Sequence, residues 1–359
     1  MMRTVRIVLA LVTFALVSMA GQAHVLAGSI AMSVDINVFH DALAPHGDWV
    51  QSERFGLVWT PASVSHGWRP YTRGHWAYTD FSWTWVGDEE WSWATDHYGR
   101  WSFDPSHGWV WIPGAQWGPA WVAWRYGNGY VGWAPLPADV GTDMAGVNFD
   151  AAIDPFAFTF VNEHFLVAAN LGPHIVPVAR NVTYVRVTNN ITNYTIVNNR
   201  VVNHGVEIDR VERAVGRPVP RVRVRDVETV EGVARGRGRG ADVAFYRPNV
   251  GPARPGWEPA VLASRSPRLP AEAPTRYDLK EAQRLQRTEE HERQSLRKEH
   301  EREERRVPPG PSLDEMRQRH AAEMQAQEQH EQRERQMLEV RQQRQKGSDH
   351  KPPEKPKKH

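Results

Sequence analysis

The 359-residue sequence predicts a mainly β N-terminal domain built of Trp-rich β-hairpin repeats, a small α+β middle region and long charged C-terminal helices. Three observations lead there. Fifteen of the 16 tryptophans fall between Trp49 and Trp133, so one stretch is chemically unlike the rest. Inside it, Trp76, Trp83, Trp85 and Trp91 recur as Trp101, Trp109, Trp111 and Trp117, 25 or 26 residues on. From Tyr277 onward nearly every residue is Glu, Gln, Arg, Lys, His or Ala, a helix-forming composition.

The chain opens "MMRTVRIVLALVTFALVSMAGQAHVLAGS". Arg3 and Arg6 precede an apolar run, Ile7 to Val17, that is too short to span a bilayer. Residues 1–23 therefore read as a secretory signal peptide cleaved near Ala20 or Ala23, which predicts a periplasmic or secreted protein. No cysteine occurs, so disulfides are excluded and an exported fold must rest on packing alone.

Residues 38–140 form the predicted repeat domain. "GDWVQSERFGLVWTP" from Gly47, "GHWAYTDFSWTWVGDEEW" from Gly74 and "GRWSFDPSHGWVWIPGAQW" from Gly99 share a Gly-x-Trp opening, and "RYGNGYVGWAPLP" reads as a degenerate fourth copy. Each copy predicts a hairpin. Trp101 and Phe103 share one strand face, Asp104 to Gly108 supplies turn chemistry, and Trp109 and Trp111 share a face on the return strand. By the same scheme Trp76 and Tyr78 stand opposite Trp83 and Trp85.

Indoles in such density are either core or binding surface. Burying one removes roughly 150–250 Å² from water, worth about 4–6 kcal/mol. Ile, Leu and Met are scarce from Phe39 to Pro137, so tryptophan is the material at hand for a core. The functional reading places Trp91, Trp93, Trp121 and Trp124 on an exposed platform that stacks sugar rings, with nearby acids bonding hydroxyls.

The words "WSWATDHYGRW" (Trp91–Trp101), "GWVWIPGAQWGPAWVAWR" (Gly108–Arg125) and "GWAPLP" (Gly132–Pro137) resemble a family of exported bacterial proteins, domain of unknown function 6600. The similarity extends upstream to "FHDALAPHGDWV" from Phe39 and downstream through "NITNYTIVNNRVVNHGVEIDRVERAVGRPVP", which ends at Pro220. The resemblance implies export and a shared fold. It carries no activity, cofactor or catalytic residue.

Residues 155–228 read as a small β-rich or α+β region. Asn181 to Val202 alternates Val, Ile, Thr and Asn and predicts two or three brief strands. Its three Asn-x-Thr words, at Asn181, Asn190 and Asn193, read as turn chemistry. "EIDRVERAVGR" predicts a short helix closed by Gly216, and "VPRVRVRDV" a strand with alternating arginines. Residues 229–276 have the Gly, Pro and Arg content of a linker, and "RGRGRG" within them hints at nucleic acid only in a cytosolic setting.

Residues 277–346 read as charged helices broken at 307–311, each about 45–50 Å long. Glu289–Arg293, Glu301–Arg305, Glu315–Arg319 and Glu331–Arg335 are i,i+4 pairs in the favourable order, and Ser312 with Glu315 makes a capping box. Leu279, Leu285, Leu296, Met316, Met324, Met337 and Leu338 keep no heptad, so the prediction is a solvated rod, with a weak coiled coil as the alternative. Residues 347–359 form a disordered basic tail able to touch an anionic envelope surface.

Catalytic constellations are missing from the sequence. Histidines 40, 46, 66, 75, 97 and 107 lack tight metal spacing, and no phosphate loop, nucleophile elbow or zinc motif occurs. Asp88, Glu89 and Glu90 with Asp80 or Asp96 are the one acid pairing to test against glycoside hydrolysis. The expectation is a non-enzymatic envelope scaffold or interaction protein with no cofactor and no metal. Its partner would be an envelope protein or polysaccharide, not nucleic acid. The alternative is a carbohydrate- or peptidoglycan-binding module using exposed tryptophans.

Overall fold

The structure is a computed structural model, and it describes residues 37–349 apart from 63, 66, 139–151, 198–199, 237–241, 249 and 251–274. The signal-peptide expectation for residues 1–23, most of "RGRGRG" and residues 350–359 of the basic tail lie outside the described residues.

Helix α1 (Asn37–Leu43) leads into β1 (Gly47–Ser52) and β2 (Gly56–Pro61), then β3 (Gly74–Thr79) and β4 (Ser82–Gly87). A single turn, α2 (Ser92–Thr95), precedes β5 (Arg100–Asp104) with β6 (Gly108–Ile112) and β7 (Val122–Gly127) with β8 (Tyr130–Pro135). Each antiparallel register pairs two tryptophans across the strands: Trp49 with Trp59, Trp76 with Trp85, Trp101 with Trp111 and Trp124 with Trp133. All eight are buried. The fourth copy is thus a complete hairpin, turned by Asn128 and Gly129 with φ of +49° and +75°, a left-handed pair that Asn-Gly adopts readily.

The Gly-x-Trp word has a steric cause. A Cβ on Gly47, Gly74 or Gly99 would stand 2.6, 2.9 or 3.0 Å from the indole of Trp59, Trp85 or Trp111, the ring that crosses back from the return strand. A backbone oxygen would lie closer still, at 2.2, 2.3 and 2.1 Å. Only glycine leaves that ring its place.

Alternate hairpins, not neighbours, come together. The first and third form one sheet, β1-β2-β6-β5, joined where Trp59 meets Trp111. The second and fourth belong to two further sheets and pack ring to ring, Trp76 lying 4.5 Å from Trp124 and 5.6 Å from Trp133. The predicted hairpins are distributed over three sheets. Local periodicity sets each hairpin, but which hairpins meet is a long-range packing matter.

The middle region completes those sheets instead of folding apart. Strand β9 (Thr159–Asn162) pairs with β8, and β10 (Asn189–Asn190) pairs with β7. Strands β11 (Tyr194–Val197) and β12 (Arg200–Asn203) extend the second hairpin beyond β4; β13 (Arg221–Val227) and β14 (Asp242–Tyr246) extend it beyond β3. The stretch Asn181–Val187, predicted as strand, is helix α3. Its Asn181 and Tyr184, one turn apart, are both buried, and the Asn181 amide donates to the carbonyls of Pro155 (3.0 Å) and Phe158 (2.6 Å). Tertiary contacts outweigh the β preference of Val and Thr here. Helix α4 (Ile208–Val215) ends on Gly216 at φ +76°, as the sequence predicts. Helix α5 (Val230–Gly236) and β14 occupy the expected linker, and β14 runs parallel to β13.

Helices α6 (Thr275–Glu304) and α7 (Pro311–Asp349) form an antiparallel hairpin. The expected Glu331–Arg335 pair is present at 3.3 Å, but Glu289 and Arg293 bond across the helices instead of to each other: Glu289 binds Arg335 at 2.7 Å and Arg293 binds Glu331 at 3.0 Å. Leu285, Leu296, Leu313 and Ala326 are buried beside buried Glu289, His300, His320, Glu323 and Gln327, so the rods are not solvated all round. Arg180 of the body reaches Glu299 (2.7 Å), Glu303 (2.9 Å) and Glu323 (3.4 Å) and docks the hairpin.

Candidate functional site

Three of the four tryptophans predicted to stack sugars belong to the core. Trp93 packs on Tyr246 at 5.1 Å, Trp121 stacks on Tyr194 at 5.8 Å, and Trp124 donates to the Asn203 side chain at 2.7 Å. Arg100 lies 3.6 Å from the Trp121 ring centre. Strands β11 and β12 cover Trp121 and Trp124, whereas Trp93, though buried, lines a separate cavity. Trp91 is half-buried between Trp59 (5.8 Å) and His46 (5.7 Å).

Trp68 and Trp109 are half-buried and Phe103 is 37% exposed, and all three line a cleft of about 280 Å³. Its floor is the end of β2, the Trp68–Arg69 loop and the β5–β6 turn; its roof is Leu285 of α6 with His330, Arg333 and Met337 of α7. Trp68 is fixed by an indole N–H donated to Glu89 (2.9 Å) and by edge contact with Trp101 (5.5 Å). Trp109 meets Phe103 edge-on at 5.7 Å.

The turn that presents Phe103 and Trp109 is held by one carboxylate. Asp104 accepts from Ser52 Oγ (2.7 Å) and from the backbone N–H groups of Ser106 (2.8 Å) and His107 (3.0 Å). Burial pushes its pKa up, but these donors and His107 outweigh that and hold it below the usual range. Gly108 closes the turn at φ +75°.

Arg69 also lines the cleft and is only 8% exposed. One Nη donates to Thr159 Oγ1 at 3.3 Å, and its Nε has no partner. Burial lowers the guanidinium pKa to about 10, with Glu334 and Glu292 pulling it back up from a distance. A buried cation without a close counter-ion costs several kcal/mol. Sequence reasoning passed Arg69 over, because a lone arginine in a loop carries no periodic signal.

The acids singled out by sequence come together only in part. Asp96 is buried, and its pKa is raised well above the ordinary value by burial and then by Glu89. Glu89 is also raised by burial, against the N–H of Trp68. Neither lines the cleft, and Asp80 is exposed in the β3–β4 turn. A second cavity, about 530 Å³, is lined by Trp76, Trp93, His75, His97 and Asp88 with β14; burial lowers the pKa of His97 to about 4. Among the described residues no group of three His, Asp or Glu is placed to hold a metal ion.

Residues 40–140 match a family of unknown function (DUF6600). The match spans all four hairpins and hence the floor of the cleft, whereas the roof and the strands beyond β8 lie outside it. The downstream similarity read as far as Pro220 is not part of the match. No curated protein and no solved structure matches the chain. No described helix is long and apolar enough to cross a membrane.

Proposed function

We propose that this chain is an exported, non-enzymatic interaction protein of the cell envelope, a scaffold that takes its ligand in the cleft beneath the helical hairpin. One contrast supports the reading. Eleven of the fifteen clustered tryptophans are buried, whereas the half-buried Trp68 and Trp109 line a cleft beside a buried guanidinium that no carboxylate among the described residues contacts. Aromatic walls with a few fixed polar groups are the usual make-up of a ligand site. A hydrolytic reading gains nothing from Asp96 and Glu89, since neither reaches the space where a substrate would lie.

Envelope polysaccharide is the ligand class that fits aromatic walls in an exported protein, and the basic residues 347–359 add contact with an anionic surface in this reading. The test is titration of the full-length chain with soluble cell-wall glycan fragments, read by tryptophan fluorescence. Saturable quenching that disappears in Trp109→Ala is the expected result. Quenching indifferent to Trp109, or none at all, removes the cleft from the function. A scaffold role is checked separately by pull-down from envelope extracts, comparing the native chain with Arg180→Glu, in which the helices are undocked.

A further inference from the structure

We infer that the cleft selects a saccharide bearing a carboxylate, with Arg69 as the anion receptor and Trp68, Trp109 and Phe103 as the wall for the sugar face. The inference rests on the cleft being the ligand site and adds the chemical class of ligand.

Arg69 carries the argument. It is more than nine-tenths buried, it lines the cleft, and its contacts are satisfied at one position only, by a 3.3 Å hydrogen bond to Thr159. Among the described residues no carboxylate lies within 4 Å of it. The cleft's own acids have nearer partners: Asp154 holds Arg333 at 2.6 Å, and Glu334, 3.4 Å from His330, acts on Arg69 only through its charge. A guanidinium offers a planar fork of donors whose spacing matches the two oxygens of a carboxylate. Pairing it would recover the cost of burying the charge.

The remaining lining narrows the choice. Trp68, Trp109 and Phe103 give the same space a flat apolar side, while His107 and Thr60 stand at its rim with groups that bond hydroxyls. A volume of about 280 Å³ is at the lower end for ligand pockets, which suits one sugar residue and not a long oligomer. Arg284 and Arg333 also line the cleft, but Arg284 is exposed and Arg333 is held by Asp154, so Arg69 is the buried guanidinium among them.

The experiment is calorimetric titration of the full-length chain, at matched ionic strength, with N-acetylmuramic acid and glucuronic acid and with their uncharged counterparts N-acetylglucosamine and glucose. The acidic sugars are expected to bind at least tenfold more tightly than the neutral ones. Arg69→Gln should abolish that preference and Arg69→Lys should retain part of it, with circular dichroism reporting that each is folded. The comparison within the native chain needs no variant, so a misfolded Arg69→Gln does not blunt it. Equal binding of acidic and neutral sugars, lost in Trp109→Ala, overturns the carboxylate selectivity and leaves the cleft as a sugar site. Absence of binding by all four overturns both. An acid preference that survives in folded Arg69→Gln assigns it to another cation and also overturns the inference.

Discussion

In the body, Trp76 touches Trp85, Trp124 and Trp133 at ring separations of 5.1, 4.5 and 5.6 Å, and the indole N–H groups of Trp83, Trp111 and Trp133 donate to backbone carbonyls. Between α6 and α7 the contacts are of another kind. His300 and His320 stack at 3.9 Å, His300 meets Glu323 at 2.9 Å, and His320 lies between Glu303 and Glu304 at 3.0 Å each. Ring packing is indifferent to salt and nearly so to pH, whereas ion pairs are screened by one and neutralised by the other. The two regions should therefore come apart under different conditions.

The largest effect falls on the body. Trp85→Ala empties a fully buried site against Trp76, Trp133 and Tyr71 and should cost about 3–5 kcal/mol, read as a shift in the urea midpoint. Gly74→Ala follows at roughly 2–3 kcal/mol, because its φ of +144° and the Val86 oxygen at 2.3 Å leave no room for a Cβ. A tolerated alanine there would sever the link between the Gly-x-Trp word and the crossing indole. Arg180→Glu should undock the helices at a cost of about 2–3 kcal/mol, with hydrogen-exchange protection lost in α6 and α7 and kept in β3 to β8. Loss of protection in both regions would make them one cooperative unit.

Acid sharpens the same contrast. Burial pushes the Glu323 carboxyl up, but hydrogen bonds from His300 and Thr183 and the charge of Arg180 outweigh it and hold its pKa below the usual 4.5; Glu303 is lowered likewise. A depressed carboxylate stabilises the fold above its unfolded value, and that contribution is lost as pH falls through the folded one. The helices should loosen progressively below about pH 4.5, with the body's near-ultraviolet dichroism unchanged. Asp96 has the opposite sign. Its raised pKa means the folded state holds a proton the unfolded chain has released, so it lowers stability as pH climbs above 3.8. Asp96→Asn should raise the melting temperature at pH 8 by roughly 2–4 °C and do nothing at pH 3.

Much of the fold is legible in residues that act over short range. The pairing of Trp101 with Trp111 follows from alternation about the Asp104–Gly108 turn, and the end of α4 follows from Gly216. Helices α6 and α7 are foretold by their Glu, Gln and Arg content, including the break before Pro311. What the sequence conceals is partnership at long range. Nothing near Trp121 announces that Tyr194 will cover it, and nothing near Glu289 announces Arg335 in place of Arg293. The same limit hid the site. Trp68 and Arg69 look ordinary until His330 and Arg333 of α7 arrive more than 250 residues later to roof them.

Strands β12 and β13 lie parallel to β4 and β3 across more than a hundred intervening residues, and the Trp83 indole waits for the carbonyl of Val206. During synthesis the aromatic hairpins must therefore emerge well before the segments that shelter them, a sequence of events that favours slow folding and a need for chaperone protection. A fragment cut to the matched stretch, 40–140, would keep its hairpins and lose their coat. Expressed alone, it should clump, and adding back residues through Tyr246 should restore a soluble monomer on a sizing column.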